Sequence, residues 1–104
     1  MSVLLELAMF PTDKGESVSA YVARIIAMID GSGLDYRLTP MGTIIETADL
    51  EGGLKIIADA YRLLEPDCAR VYATVKLDIR KGKSGRLGQK IASVEEKLGK
   101  KAKT

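Results

Sequence analysis

The sequence of 104 residues predicts a single α+β domain in which two helices cover one face of a four-stranded antiparallel sheet. Apolar residues alternate with polar ones over residues 71–79, which is typical of a strand with one buried face. They recur at three- and four-residue spacing over residues 18–29 and 50–64, which is typical of amphipathic helices. Glycine and proline breaks separate these segments. We expect the domain to span residues 1–99, followed by a basic tail over residues 100–104.

The first half of the chain is predicted to contain a strand, a helix and a hairpin. Residues 3–10 are apolar at almost every position, and the turn-forming residues 11–15 follow them. Ser17 or Ser19 can cap the first helix, which we expect to stop at Gly31-Ser32-Gly33. Two short β-rich runs, 36–39 and 43–47, flank Pro40-Met41-Gly42, a break that suits a hairpin or a bulged strand-to-strand turn.

The second half is predicted to contain a helix, a strand and a short final helix. Asp49 is a plausible cap, although Gly52-Gly53 predicts that the helix begins late or frays. Its predicted buried face consists of Leu50, Leu54, Ile57, Ala58, Tyr61 and Leu64. The strand over residues 71–79 is predicted to bury Val71, Ala73, Val75, Leu77 and Ile79. The final helix is expected near Ile91, Val94 and Leu98. With right-handed crossovers, the order β-α-β-β-α-β gives a ferredoxin-like sandwich.

The first strand is apolar on both of its faces, whereas the two helices of such a sandwich cover only one face of the sheet. Leu4, Ala8 and Phe10 alternate with the odd-numbered apolar residues. Burying an exposed leucine contributes roughly 1.5 to 3 kcal/mol. The sequence therefore predicts a homo-oligomer, a dimer or a tetramer, with the even-numbered face in the interface.

The composition excludes much of enzyme chemistry. The chain has no histidine and one cysteine, Cys68, so it lacks the Ser-His-Asp and Cys-His arrangements, and no two acids form an evident acid and base pair. A half-buried structural role for Cys68 is favoured over a reactive thiol. The protein is expected to have no catalytic residue, metal or cofactor. The N-terminal apolar run lacks the layout of a signal peptide, and no apolar stretch is long enough to span a membrane. We expect a cytoplasmic protein that does not bind membranes.

The charges are distributed unevenly. Residues 1–75 contain 6 basic and 11 acidic side chains, and residues 76–104 contain 10 basic and 3 acidic ones. No aromatic residue is interleaved with the basic ones near the C-terminus, so nucleic-acid binding is not expected. Gly82-Lys83-Ser84 lacks the earlier glycine of a phosphate-binding loop, because Leu77 stands there. The basic loop over residues 80–86, with Arg80, Lys81, Lys83 and Arg86, either binds an anion or is solvated.

Two further features each have two interpretations. Glu6, placed among apolar residues, is either a charged position in a subunit interface or a ligand contact. The segment Thr39-Pro40-Met41-Gly42-Thr43 suits a neutral ligand, and it equally suits a tight turn with ordinary strand threonines.

Four segments resemble the small thiamine-binding proteins of the YkoF type. They read FP followed by DKGESVS (residues 10–19), YVAR (21–24), LTPMGTIIE (38–46) and SVEEKL (93–98). The resemblance implies a ferredoxin-like subunit, dimers assembled into tetramers and a pocket for thiamine or hydroxymethylpyrimidine, without an established reaction and without a metal requirement. It places hydrogen-bonding groups at Ser17, Ser19, Thr39 and Thr43, and ring contacts at Met41, Phe10 and Ile45.

The sequence leaves three functions open. The favoured one is non-catalytic binding of a thiamine-type molecule. The second is an enzyme or anion-binding protein that uses the basic loop. The third is a purely structural oligomerisation module.

Overall fold

The computed structural model describes all 104 residues and shows one four-stranded antiparallel sheet with three helices. In chain order the elements are β1 (Ser2–Pro11), α1 (Ser19–Gly31), β2 (Asp35–Thr39), β3 (Gly42–Thr47), α2 (Leu50–Leu64), β4 (Val71–Arg80) and α3 (Arg86–Leu98). The strands lie in the order β2-β3-β1-β4. This confirms the ferredoxin-like fold that the element order predicted.

The core lies between α1, α2 and the sheet face that carries the odd-numbered residues of β1. Leu5, Leu7 and Met9 are buried there. The other buried members of this cluster are aliphatic and come from α1, α2 and β3: Ile25, Ile29, Ile45, Ile56, Ala60 and Leu64. The core holds no fully buried aromatic ring, as expected for a chain with five aromatic residues.

The predicted serine cap of α1 is wrong. The helix begins at Ser19, the preceding Val18 makes no side-chain cap, and the hydroxyls of Ser17 and Ser19 lie 3.5 Å from each other. The predicted stop is confirmed, because α1 ends at Gly31 and Gly33 adopts a φ of +78°. Glycine suits that left-handed backbone, which few other residues adopt.

The predicted cap of α2 is confirmed, but the expected late start is wrong. Asp49 Oδ1 accepts the Gly52 N–H at 2.8 Å, and the helix begins immediately afterwards. A Cβ at Gly52 would lie 3.1 Å from that same Oδ1. A Cβ at Gly53 would lie 3.6 Å from Thr47 Oγ1. We conclude that Gly52 lets the first turn approach its cap closely, whereas a Cβ at Gly53 would make an ordinary van der Waals contact.

The predicted buried face of α2 is confirmed at Leu64, is only partly buried at Leu50, Ile57 and Ala58, and is wrong at Leu54 and Tyr61. The buried residues are Gly53, Ile56, Ala60 and Leu64, whereas Leu54 and Tyr61 are exposed. The apolar residues of α2 extend over more of its circumference than one stripe, so their spacing fits two faces. Packing on β1 and β3 selects the face that includes the small residues.

The predicted burial of one face of β4 occurs only in part and only at Val71, which packs against the core. Val75, Leu77 and Ile79 lie on the helix side of the sheet, opposite odd-numbered residues of β1, yet they are 38%, 41% and 48% exposed. β4 is an edge strand. α1 and α2 pack mainly over β1 and β3, which leaves the outer part of the sheet uncovered.

α3 lies on the sheet face opposite α1 and α2, and its 13 residues make it as long as α1 rather than short. Glu46 accepts the backbone N–H groups of Arg86 and Leu87, both at 3.0 Å. Glu46 points to this face because its neighbour Ile45 is buried in the core. Only the first turn of α3 is buried, and the apolar residues further along it are exposed: Ile91, Val94 and Leu98.

The side chain of Arg86 makes further contacts that hold the first turn of α3 against the sheet. Its guanidinium donates to Ser2 Oγ at 2.8 Å and to the Ser2 carbonyl at 2.9 Å, and it pairs with the Asp78 carboxylate at 3.1 Å. α3 thereby ties the start of β1 to the end of β4. None of the three helices has the combined length and hydropathy that a membrane crossing requires.

Candidate functional site

A cavity of about 320 Å³ lies between the N-terminal half of α1 and the β2–β3 hairpin, with β1 as its floor. This volume is near the lower end of the range of about 300 to 1,000 Å³ for small-molecule sites. Its lining contains no charged side chain, and ten of the fourteen lining residues are hydrophobic. The apolar lining includes Met9, Phe10, Val22, Ile25 and Ile26. The cavity therefore suits a small molecule, or part of one, that is largely apolar and uncharged.

The β2–β3 hairpin forms one side of the cavity, and a threonine side chain closes its turn. Thr39 Oγ1 donates to the Gly42 carbonyl at 2.8 Å and accepts the Met41 N–H at 3.3 Å. A Cβ at Gly42 would lie 3.2 Å from the Leu7 carbonyl oxygen, so glycine allows β3 to approach β1 at this point. Met41 is 85% exposed and lies at the edge of the cavity.

Thr43 provides the one hydroxyl of the cavity that is not engaged within the chain. It is 5% exposed and lies beside Leu7 on the helix side of the sheet. Its hydroxyl takes part in none of the hydrogen bonds of the structure, whereas that of Thr39 makes two. A threonine hydroxyl can donate one hydrogen bond and accept two. Thr43 is therefore free to bind a polar group of a molecule in the cavity.

The structure brings together four of the seven predicted site residues, since Phe10, Thr39, Met41 and Thr43 all line the cavity. Ser19 lines the adjoining groove described below. The other two line neither space: Ile45 is fully buried in the core and Ser17 is exposed.

Sequence reasoning missed the contribution of α1 to the cavity. The helical spacing over residues 18–29 predicts Val22, Ile25 and Ile26 as part of an amphipathic face, and Leu38 lies in the predicted strand 36–39, but neither pattern indicates a binding site. The adjacent pair Ile25-Ile26 was the available signal. Ile25 is buried in the core and Ile26 is only partly buried, so together they offer more apolar surface than one core stripe requires.

A groove of about 610 Å³ adjoins the cavity and runs between α1 and the edge strand β2. The two spaces share Val22, Ile26 and Leu38 in their linings. At the far end of the groove, the Tyr36 hydroxyl donates to Asp30 Oδ1 at 2.8 Å. This hydrogen bond raises the pKa of Tyr36, and burial and the charge of Asp30 act in the same direction.

Only three of the four cations of the basic loop are available to bind an anion. Arg86 is 6% exposed and is held by Ser2 and Asp78, as described above. Arg80, Lys81 and Lys83 remain exposed. The fold thus uses Arg86 to anchor α3.

Cys68 lies between α2 and β4 and is half-buried, as the sequence predicted. Burial raises the pKa of its thiol, and the nearby carboxylates of Asp67 and Asp13 raise it further. These effects disfavour the thiolate, which is the nucleophilic form.

Glu6 lies outside the cavity, on the opposite face of the sheet. Its carboxylate lies 3.6 Å from Lys76 Nζ of the neighbouring strand β4. Within the single chain it is a partly exposed cross-strand ion pair.

Comparison with known proteins gives one consistent family. Residues 5–95 match the family model described as "Thiamine-binding protein". A UPF0045 protein of Methanocaldococcus jannaschii is 33% identical over 94 residues, which cover 90% of this chain and 93% of that protein. A UPF0045 protein of Mycobacterium tuberculosis is 32% identical, covering 94% of this chain and 96% of that protein.

Solved structures agree with this assignment. The crystal structure of the hypothetical protein MJ1052 from Methanocaldococcus jannaschii superposes with a TM-score of 0.81 at 33% identity, covering 91% of this chain and 97% of that one. A candidate thiamine biosynthesis/salvage protein of Thermotoga maritima has a TM-score of 0.78 at 19% identity, covering 90% and 99%, and shows the same fold. The family match extends over most of the chain, including all the residues that line the cavity. This chain belongs to the thiamine-binding protein family.

Proposed function

We propose that this protein binds thiamine or its hydroxymethylpyrimidine moiety, without catalysing a reaction, in the cavity between α1 and the β2–β3 hairpin. Membership of the thiamine-binding family supports a ligand of this type. The observation that carries the proposal is the composition of the cavity, which is apolar and uncharged and holds the unengaged hydroxyl of Thr43.

The chemistry of an aminopyrimidine matches this composition. Its ring has flat apolar faces, which Phe10 and Ile25 can contact. Its edge carries one amino donor and two ring-nitrogen acceptors. Thr43 can donate to a ring nitrogen or accept from the amino group, and Thr39 keeps one lone pair free to accept. The cavity can thus meet both kinds of polar group without a charge.

Several features support binding without catalysis. The chain has no histidine, and the cavity lining has no acid that could exchange a proton with a bound molecule. The one thiol, Cys68, has a raised pKa and does not line the cavity. A single unpaired cysteine also fits the reducing cytoplasm, where we place the protein.

Isothermal titration calorimetry with thiamine, hydroxymethylpyrimidine and thiamine phosphates tests the proposal. We expect hydroxymethylpyrimidine and thiamine to bind, and phosphorylation to bring no gain, because no cation lines the cavity. Binding of thiamine phosphates alone, lost in Arg80→Ala, would assign the site to the basic loop instead. Absence of binding by all three ligands would contradict the proposal.

We also propose that the protein assembles as a homo-oligomer through β4. This strand of ten residues pairs only with β1, so the backbone N–H and C=O groups along its outer side have no strand partner. Val75, Leu77 and Ile79 are exposed beside that edge. A long, exposed apolar edge strand is a template for pairing with another chain. Pairing of β4 with β4 of a second copy would satisfy this edge.

The second sheet face and α3 support a further contact, as in a tetramer. Ile91, Val94 and Leu98 repeat along one side of α3 and are 36%, 51% and 52% exposed. The segment that contains α3 is basic, whereas residues 1–75 are acidic. This charge distribution favours contact between α3 of one copy and the body of another.

A further inference from the structure

We infer that Asp30 and Tyr36 bind the cationic end of the ligand, so that the protein distinguishes a cation-bearing thiamine from uncharged molecules of the same shape. The inference rests on the proposed function, because it assumes that the pyrimidine ring occupies the cavity. The inference gives the adjoining groove a part in binding, whereas the proposed function requires only the apolar cavity.

The groove begins where the cavity ends. Val22, Ile26 and Leu38 line both spaces. Leu38 is 59% exposed, so its side chain has room to move aside for a molecule that extends from one space into the other. The two spaces therefore suit a ligand made of two joined parts.

The distances along the groove suit a molecule of two rings. The α1 residues that line it lie on one side of the helix: Ser19, Val22, Ala23, Ile26, Ala27 and Asp30. A helix rises by about 1.5 Å per residue, which places Asp30 about 6 Å beyond Ile26. A strand rises by about 3.4 Å per residue, which places Tyr36 about 7 Å from Leu38. A second ring, joined by one carbon to a ring in the cavity, reaches this end.

The charge at this end has a single sign. Asp30 is the only residue lining the cavity or the groove that carries a charge at neutral pH. Oδ1 accepts the Tyr36 hydroxyl, and Asp30 takes part in none of the ion pairs of the structure. The C-terminal end of α1 adds partial negative charge nearby.

Tyr36 completes the cation site. Its ring lines the groove beside the carboxylate, and cations are attracted to aromatic faces. Together the two side chains suit a flat, delocalised organic cation such as a thiazolium ring. A phosphate group at the same place would face a carboxylate with no cation to balance it.

The test is calorimetry at low salt with three probes. These are thiamine, a neutral isostere in which carbon replaces the quaternary ring nitrogen, and hydroxymethylpyrimidine. We expect the parent protein to prefer thiamine over the isostere by about three- to tenfold. Added salt should reduce that preference, because the ion pair is exposed.

Asp30→Asn should remove this preference by weakening thiamine alone, because asparagine keeps an acceptor for the Tyr36 hydroxyl but removes the charge. The isostere and the pyrimidine should bind the variant within about twofold of the parent. Asp35→Asn is the matched control, since Asp35 is an exposed aspartate of β2 that lines neither space and pairs with Arg37. It should change no affinity.

The outcomes separate this inference from the proposed function. Equal affinity of the parent for thiamine and its isostere would overturn the inference, and that measurement requires no variant. Equal weakening of both ligands by Asp30→Asn would also overturn it, because the effect would then be structural. In either case, binding of hydroxymethylpyrimidine would leave the proposed function intact. Failure of all three probes to bind the parent would overturn both.

Discussion

Thr39 and Thr43 lie four residues apart, line the same cavity and differ in what their hydroxyls do. Thr39 closes the hairpin turn by donating to the Gly42 carbonyl. Thr43 is buried without a hydrogen bond to the chain. The sequence identified both as polar groups of a possible site, but it could not separate their roles, because the difference depends on the direction of each side chain in the folded hairpin.

Thr43→Val should weaken the binding of hydroxymethylpyrimidine and thiamine by up to about tenfold. A neutral hydrogen bond contributes about 0.5 to 1.5 kcal/mol, and valine keeps the shape and is favoured in strands. Calorimetry measures the effect. Thr74→Val, the same change in a strand outside the cavity, should leave affinity unchanged. Parent-like affinity in Thr43→Val would exclude this hydroxyl from the site.

At the scale of the elements, side-chain periodicity predicted which segments form strands and helices but not which neighbours cover them. The seven elements lie close to their predicted positions. The predictions that fail concern which side chains neighbouring elements bury. The buried face of α2 includes Gly53 and Ala60 rather than Leu54, because small residues allow close packing on the sheet. β4 alternates as predicted, yet the helices leave Val75, Leu77 and Ile79 on its apolar side exposed.

The attachment of α3 illustrates a contact that no local pattern shows. Glu46 lies 40 residues from Arg86 in sequence, and its carboxylate accepts two N–H groups of the first turn of α3. Burial acts to raise the pKa of Glu46, but these two hydrogen bonds and the charge of Arg86 outweigh it, so that the pKa is lowered. The charged form of Glu46 therefore stabilises the fold.

Glu46→Gln should lower the free energy of unfolding at pH 7 by about 1 to 2 kcal/mol, because charge-assisted hydrogen bonds are lost. The pKa is lower in the folded state than in the unfolded state. The stabilisation is therefore complete above the unfolded value of roughly 4.3 and is lost as the pH falls through the folded value. Urea unfolding at pH 7 and pH 3 should show that the difference in unfolding free energy between parent and variant shrinks in acid.

Glu65→Gln, a change at an exposed glutamate, serves as the control. A difference that stays constant with pH would contradict this role of Glu46.

The whole molecule is less compact than an isolated domain of its length. Its radius of gyration is 15.0 Å, whereas a domain of about 100 residues is expected to have roughly 13 Å. Only 17 of its 104 residues are buried. Both values fit a subunit whose projecting helix and open sheet edge are covered by another copy. The sequence predicted assembly from the two apolar faces of β1, and the structure adds β4 and α3 as exposed apolar surfaces.

Leu77→Glu should lower the mass that the protein shows in sedimentation at micromolar concentration. Leu77 is exposed at the edge strand β4, so the change should cost little in a monomer but several kcal/mol in a buried interface. Leu54→Glu, at a similarly exposed leucine of α2, is the matched control and should keep the parent mass. A parent protein that sediments as a monomer would contradict the proposed assembly, and an oligomeric Leu77→Glu would place its interface elsewhere, for example on the even-numbered face of β1.

The four methionines report directly on where the ligand binds. Met9 and Met41 line the cavity, whereas Met28 lies outside it and Met1 precedes the end of β1 that pairs with Arg80 of the basic loop. In a ¹H–¹³C spectrum of methyl-labelled methionine, saturating hydroxymethylpyrimidine should shift the signals of Met9 and Met41 and leave those of Met1 and Met28 in place. A shift confined to Met1, with Met9 and Met41 unchanged, would show that the ligand binds outside the cavity.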